Sequence, residues 1–278
     1  MKYSIKAVLA LSIILLSSIA SCSMHRDNKS EKHKMRLVWK DEFEYTGLPD
    51  PAKWGYDEGN GCPNLCGWGN AELQFYTARR AENARVEHGK LVIEARREPW
   101  QSNAYTSARL VTKGKGDWKY GRIEICAKLP TGRGTWPAIW MLPTEWAYGG
   151  WPASGEIDIM EHVGYEPDSI VATAHTQAYN HVKGTQRRSD IYNSTIETAF
   201  HVYAIEWRPE RIDFFMDGTK YHSFANEQKT FAEWPYDRTF HLLLNIAVGG
   251  HWGGHKGVDE TIWPQRMEVD YVRVYTIN

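Results

Sequence analysis

The chain has 278 residues and near-balanced charge, with 33 Lys and Arg against 34 Asp and Glu. There is no basic excess to suggest nucleic acid, and the length suits one large β domain. Thirteen Trp and fifteen Tyr are many for this length; flat aromatic faces fill cores and also stack on sugar rings, so the composition favours carbohydrate binding.

The N-terminus reads as an export signal. Lys2 and Lys6 form its positive end, and Ala7 to Ile19 is a mostly apolar run. That run is short for a transmembrane helix, which needs about 20 residues. It ends in Ile19-Ala20-Ser21-Cys22, which resembles a bacterial lipobox. The resemblance implies a signal peptide over residues 1–21, lipidation of Cys22 and a lipid-anchored place at the bacterial cell envelope. Residues 22–35 read as a polar tether, and residues 36–278 as a single β-sandwich domain. In an exported protein, Cys62 and Cys66 in a Gly-rich loop read as a local disulfide. A metal pair is disfavoured because no second Cys/His pair follows at matching spacing. Cys126 reads as a packed free thiol.

The predicted elements then follow one another as strands. Leu37 to Phe43 opens the domain and ends in Asp41-Glu42. Residues 47–69 are dense in Gly, Pro and Asn and read as a long loop. Asn70 to Thr77 reads as a short helix or a strand, with strand or extended chain favoured. Ala84 to Glu87 and Lys90 to Arg96 form a hairpin around His88-Gly89. Ala108 to Thr112 is a further strand. In Arg122 to Leu129, the residues Ile123, Ile125, Ala127 and Leu129 alternate toward a core. Trp136 and Trp140 share one face of the next strand. The loop from Pro143 to Ser154 carries Trp146, Tyr148 and Trp151, either as a sugar-binding rim or packed on its own sheet.

The stretch Gly155-Glu156-Ile157-Asp158-Ile159-Met160-Glu161 holds three carboxylates. Strand alternation puts Glu156 and Asp158 on one face and both isoleucines on the other. Glu161 lies at an odd offset from Glu156, so a regular strand would bury it unpaired, which is costly. One extra residue near Met160, a β-bulge, returns it to the acidic face. The two glutamates are then about 13 Å apart along the backbone at ~3.3 Å per residue. Side chains leaning together would leave carboxyls about 5 Å apart, the spacing of a retaining rather than an inverting glycosidase.

Beyond this strand, Ile170 to Gln177 alternates again, with Thr173, His175 and Gln177 expected on the cleft side. Val202 to Arg208, Arg211 to Met216 and Thr219 to Phe224 follow as strands, the last two joined by an Asp217-Gly218 turn. His241 to Val248 leads into the Gly-rich loop holding Trp252, and Met267 to Tyr275 closes the domain. Helical periodicity is nearly absent. The economical architecture is all-β, an antiparallel two-sheet sandwich.

These residues, with Gly134-Thr135-Trp136-Pro137-Ala138-Ile139-Trp140-Met141 before the acidic strand, resemble glycoside hydrolase family 16. The similarity runs from about Leu37 to Tyr275, and the form with Met160 inserted resembles its laminarinases. It implies a concanavalin-like β-jelly-roll with an open cleft and retaining endo-hydrolysis of β-1,3-glucan. By the same resemblance, Glu156 is the nucleophile, Glu161 the acid/base and Asp158 the assisting carboxylate. Asn70, Arg109, Trp136, Trp140, His175 and Trp252 contact the glycan. No cofactor is implied for catalysis. A structural calcium is, held by Glu42, the Gly89 carbonyl and Asp270 with oxygen ligands. A monomer is expected, with a β-glucan as partner. The rival readings are a mixed-linkage β-1,3-1,4-glucanase, an agar hydrolase, a transglycosylase and a noncatalytic β-glucan lectin.

Overall fold

The computed structural model describes residues 35–277; the leader, Cys22 and the tether up to residue 34 lie outside the described residues. In chain order the strands are β1 (Met35–Asp41), β2 (Gly55–Tyr56), β3 (Gln74–Tyr76), β4 (Ala84–Glu87), β5 (Lys90–Trp100) and β6 (Asn103–Ser107). Next come β7 (Arg109–Val111), β8 (Asp117–Trp118), β9 (Gly121–Lys128), β10 (Thr135–Pro143), β11 (Glu156–Glu161) and β12 (Ser169–His175). The last six are β13 (Arg187–Tyr192), β14 (His201–Arg208), β15 (Arg211–Met216), β16 (Thr219–Ala225), β17 (Phe240–Val248) and β18 (Gln265–Ile277).

They form the expected pair of sheets. One runs β16-β15-β14-β9-β18-β5-β6-β3, with β1 beside β18 and β4 beside β5. The other runs β13-β12-β11-β10-β17-β7-β2, with β8 beside β17. Pairing is antiparallel throughout except between β3 and β6. Strands adjacent in space are often distant in sequence, as in a jelly roll.

Alternation builds the core between the sheets. Ile123, Ile125 and Ala127 of β9 are fully buried. From the facing sheet, Ile157, Ile159, Met160, Leu242, Leu244 and Ile246 meet them in one apolar cluster. Burying each large aliphatic side chain contributes roughly 1.5–3 kcal/mol. The opposite face of the second sheet is thereby left to carry polar chemistry. At the β4–β5 turn, His88 and Gly89 both take positive φ, 53° and 72°, the backbone a two-residue hairpin with matching twist requires.

Two expectations are corrected. Gln177 does not line the cleft: β12 ends at His175 and Gln177 is exposed. Cys126 is fully buried, but no free cysteine occurs among the described residues, so the free-thiol reading does not hold. One strand is added to those expected: Arg187–Tyr192 forms β13 at the edge of the second sheet. Cys62 and Cys66 are bridged as expected.

Candidate active site

The bulge is present. Asp158 pairs with Thr173 of β12 and Glu161 with Val171, so three steps along β11 match two along its neighbour. On the other side, Ile139 of β10 pairs with Met160 and Trp140 with Asp158. Ile157, Ile159 and Met160 are all fully buried, whereas Glu156 and Glu161 reach the surface. Two consecutive residues facing inward are the signature of the inserted position.

Entry into β11 is held tightly. Gly155 has φ +87°, and a Cβ there would lie 2.8 Å from Pro235 Cγ and 2.9 Å from Tyr236 Cε1. Tyr236 donates its hydroxyl proton to the carbonyls of Glu156 at 3.0 Å and His175 at 2.7 Å. The first catalytic candidate and the strand beside it are therefore clamped from behind.

A cleft of about 370 Å³ opens over these strands. Glu156, Glu161, Asn70, Trp136, His175 and Trp252 line it together. Trp136 donates its indole N–H to Glu161 Oε1 at 3.1 Å and meets Trp252 edge-on at 5.5 Å. Asp158 lies beneath, 1% exposed, with Oδ2 3.4 Å from His175 Nε2. Arg109 and Trp140 flank the cleft instead of lining it. The Arg109 guanidinium sits 4.6 Å from the Trp140 ring and 4.6 Å from the Trp68 ring, a cation between two π faces. Asp57 is 3.0 Å from its Nε.

Burial and crowding separate the protonation states. Burial and the Glu156 charge push the Glu161 carboxyl up to about 8, opposed by the Trp136 N–H and Arg188. Burial also raises Glu156, but hydrogen bonds from Asp158 and Trp151 and the charge of Arg109 work against it. Asp158 is raised well above the usual carboxylate range, by burial and then by the charges of Glu156 and Glu161. Burial, with His181 beside it, pushes the His175 imidazole down to about 3, so it is neutral. Glu161 and Asp158 are thus both held toward the protonated form, while Glu156 accepts hydrogen bonds from Asp158 and Trp151 that favour its anion. Paired carboxyls driven to opposite states can run acid and nucleophilic chemistry at one pH.

Several contributors were missed in the sequence. Trp151, considered only as a rim or packing aromatic, donates its indole N–H to Glu156 Oε2 at 2.8 Å. His181, Gln186 and Arg188 line the cleft from the polar segment around β13. Glu72 is a further carboxylate beside Asn70. The only available signal was the Asn70-Ala71-Glu72-Leu73-Gln74 run of spaced polar residues before a strand.

Glu42, Gly89 and Asp270 lie away from this cleft, after β1, at the β4–β5 turn and in β18. Glu42 accepts both Arg273 donors, at 2.9 and 2.8 Å. Asp270 sits where the β18–β9 register shifts, and burial raises its carboxyl with a contribution from the Glu42 charge. Lys90, next to Gly89, acts on Asp270 from the other side. Carboxylate and carbonyl oxygens are the donor type a hard cation takes, and each Glu42 oxygen keeps a second lone pair.

Comparison with known proteins places the chain among sugar-cleaving enzymes. The model of the glycosyl hydrolases family 16 matches residues 71–273. A beta-glucanase of Rhodothermus marinus is 56% identical over 279 residues, covering 98% of this chain and 96% of the relative. The structure of the laminarinase from Rhodothermus marinus has a TM-score of 0.85 at 57% identity, covering 88% of this chain and 98% of that one. SCLam, a non-specific endo-beta-1,3(4)-glucanase, has a TM-score of 0.82 at 47% identity, covering 88% of this chain and 92% of that one.

Proposed function

The chain belongs to glycosyl hydrolase family 16, and from that premise we propose that it is a laminarinase, an endo-β-1,3-glucanase acting with retention. The observation that carries the reading is the bulge in β11, which turns Glu161 into the same cleft as Glu156. Glu161 gives its proton to the glycosidic oxygen while a Glu156 oxygen attacks the anomeric carbon. The carbon–oxygen bond to the leaving sugar breaks and a glycosyl ester forms. Glu161, now ionised, takes a proton from water. The water oxygen adds to the anomeric carbon and Glu156 departs, restoring the starting configuration. Asp158 steadies the anionic Glu156 through its hydrogen bond. Trp136, Trp252, Asn70 and His175 hold the sugar across the cleft, with Arg109 and Trp140 supporting one wall.

Release of reducing ends from laminarin, lichenan and agarose, measured side by side, tests the substrate. Laminarin should be cleaved fastest, and no release from it would overturn the assignment. A second reading, cleavage of mixed-linkage glucan as well, is favoured by the 47% identity to a non-specific endo-beta-1,3(4)-glucanase; comparable rates on lichenan would establish it.

Glu42, Gly89 and Asp270 would hold a calcium ion that offsets the charge of the two acids and supports folding, remote from the reaction. Added calcium should raise the Tm and a chelator lower it, with the initial rate at 25 °C unchanged. An ion that binds only the folded state at 100 times its Kd stabilises by about 2.7 kcal/mol. A Tm indifferent to both additions would remove the site. The envelope anchor through Cys22 rests on sequence alone. Radiolabelled palmitate should be incorporated in bacteria and lost in Cys22→Ala; a wild-type chain without label would refute it.

A further inference from the structure

Glu156 and Asp158 stand on one face of β11, and His175 of β12 is paired directly across from Glu156. The register thus gathers two carboxyls and an imidazole into one patch. One ligand atom from each lies within 4.8 Å of the other two. Asp158 Oδ2 and His175 Nε2 are 3.4 Å apart. Asp158 is 1% exposed, yet its Oδ2 has no hydrogen-bond partner among the described residues. His175 is 6% exposed, and its Nδ1 has none either. Buried polar atoms are nearly always satisfied, so two orphans in one patch point to a group that would engage them.

The donor set selects that group. Calcium takes about six to eight oxygen ligands, whereas this patch offers two carboxyls and a nitrogen. Zinc accepts mixed nitrogen and oxygen ligands at about 2.0–2.2 Å, and in a tetrahedron such ligands sit about 3.4 Å from one another. The Asp158–His175 separation matches that edge. Glu156 and His175 line the cleft, so an ion can enter between them onto Asp158 beneath. The patch is also braced from behind, since the Tyr236 hydroxyl holds the carbonyls of both Glu156 and His175 at 3.0 and 2.7 Å.

We propose that Glu156, Asp158 and His175 form a site for a divalent transition-metal cation such as zinc, and that its occupation blocks hydrolysis. The first part stands on geometry; the second rests on the reading of Glu156 as nucleophile. Asp158 and Glu156 share a hydrogen bond. A dication between them takes the place of that proton, which leaves to solvent. The Glu156 lone pair that attacks the sugar is then engaged by the metal, so metal and glycan exclude one another.

The test is calorimetric titration of zinc chloride into the full chain, with calcium in excess so that oxygen-only sites are filled. His175→Ala and Asp158→Asn are titrated in parallel, each checked for folding by its Tm. The wild type should bind zinc in competition with a laminari-oligosaccharide, and zinc should raise KM without lowering kcat. Each variant should bind at least about tenfold more weakly, since losing even an outer-shell partner costs that much. Should His175→Ala fail to fold, Asp158→Asn decides alone. No zinc binding, binding that no folded variant weakens, or binding that a bound oligosaccharide leaves unchanged overturns the proposal. A wild type that binds zinc through these residues yet cleaves no glucan would keep the site and overturn the functional reading instead.

Discussion

Replacement of Glu156 by alanine is expected to lower laminarin hydrolysis by on the order of 10⁴-fold or more, because no ester can form without the attacking carboxylate. The sugar should still bind, since Trp136, Trp252 and Asn70 line the cleft independently of it. The fold should also survive. Glu156 is raised by its own burial, so its removal relieves a desolvated charge, although Trp151 and Asp158 each lose a hydrogen-bond partner. Azide supplied in solution should restore turnover by entering the space left by the side chain. It would attack from the face Glu156 used and give a glycosyl azide of inverted configuration. Isothermal titration with a laminari-oligosaccharide, beside a rate assay, separates these effects. Residual activity within tenfold of wild type would remove Glu156 as nucleophile. A lectin would have no turnover to lose.

Glu161→Gln should produce the second large effect, a fall of about 10²–10⁴-fold on laminarin, the range for a positioned general acid. An aryl glycoside whose leaving group needs no proton should lose less in the first step. In the wild type, the acid must be protonated and the nucleophile ionised. Activity should therefore decline as pH rises past about 8, where Glu161 ionises, and decline on the acid side as Glu156 takes a proton. Glu161→Gln should abolish the basic limb. Stability provides the control. A carboxyl raised in the folded state binds its proton more tightly there than in the unfolded chain, so native stability falls between about pH 4.3 and the raised value. Glutamine has no such dependence, and Tm at pH 7 should be equal or higher in the variant. A basic limb that persists in Glu161→Gln would assign it to another group.

The bulge was legible because charge and periodicity conflict at one residue. Glu161 on an even pleat would be an unpaired anion against Ile123 and Ile125 of the opposite sheet, and only an inserted residue resolves that. The apolar strands were legible for the same reason, since one face of each must be buried. Arg187–Tyr192 was not, because an edge strand needs no apolar face. Glu72 was hidden because the orientation of its neighbours Tyr76 and Gln74 is set by Asn245 and Val248, more than a hundred residues away in the chain. Trp151 was visible as an aromatic, but its hydrogen bond to Glu156 depends on how the loop folds back over β11. The packing of the Arg109 guanidinium between Trp68 and Trp140 was not legible, because it joins residues far apart in the chain.

The shared cleft of Glu156 and Glu161 has one direct stereochemical consequence. Proton NMR of a laminari-oligosaccharide digest, recorded within the first minutes and before mutarotation, reads the anomer released at the cut. The β-anomer should appear first and the α-anomer grow in later. Initial release of the α-anomer would mean a single displacement by water, with the two carboxyls in a different arrangement from the one that the bulge creates.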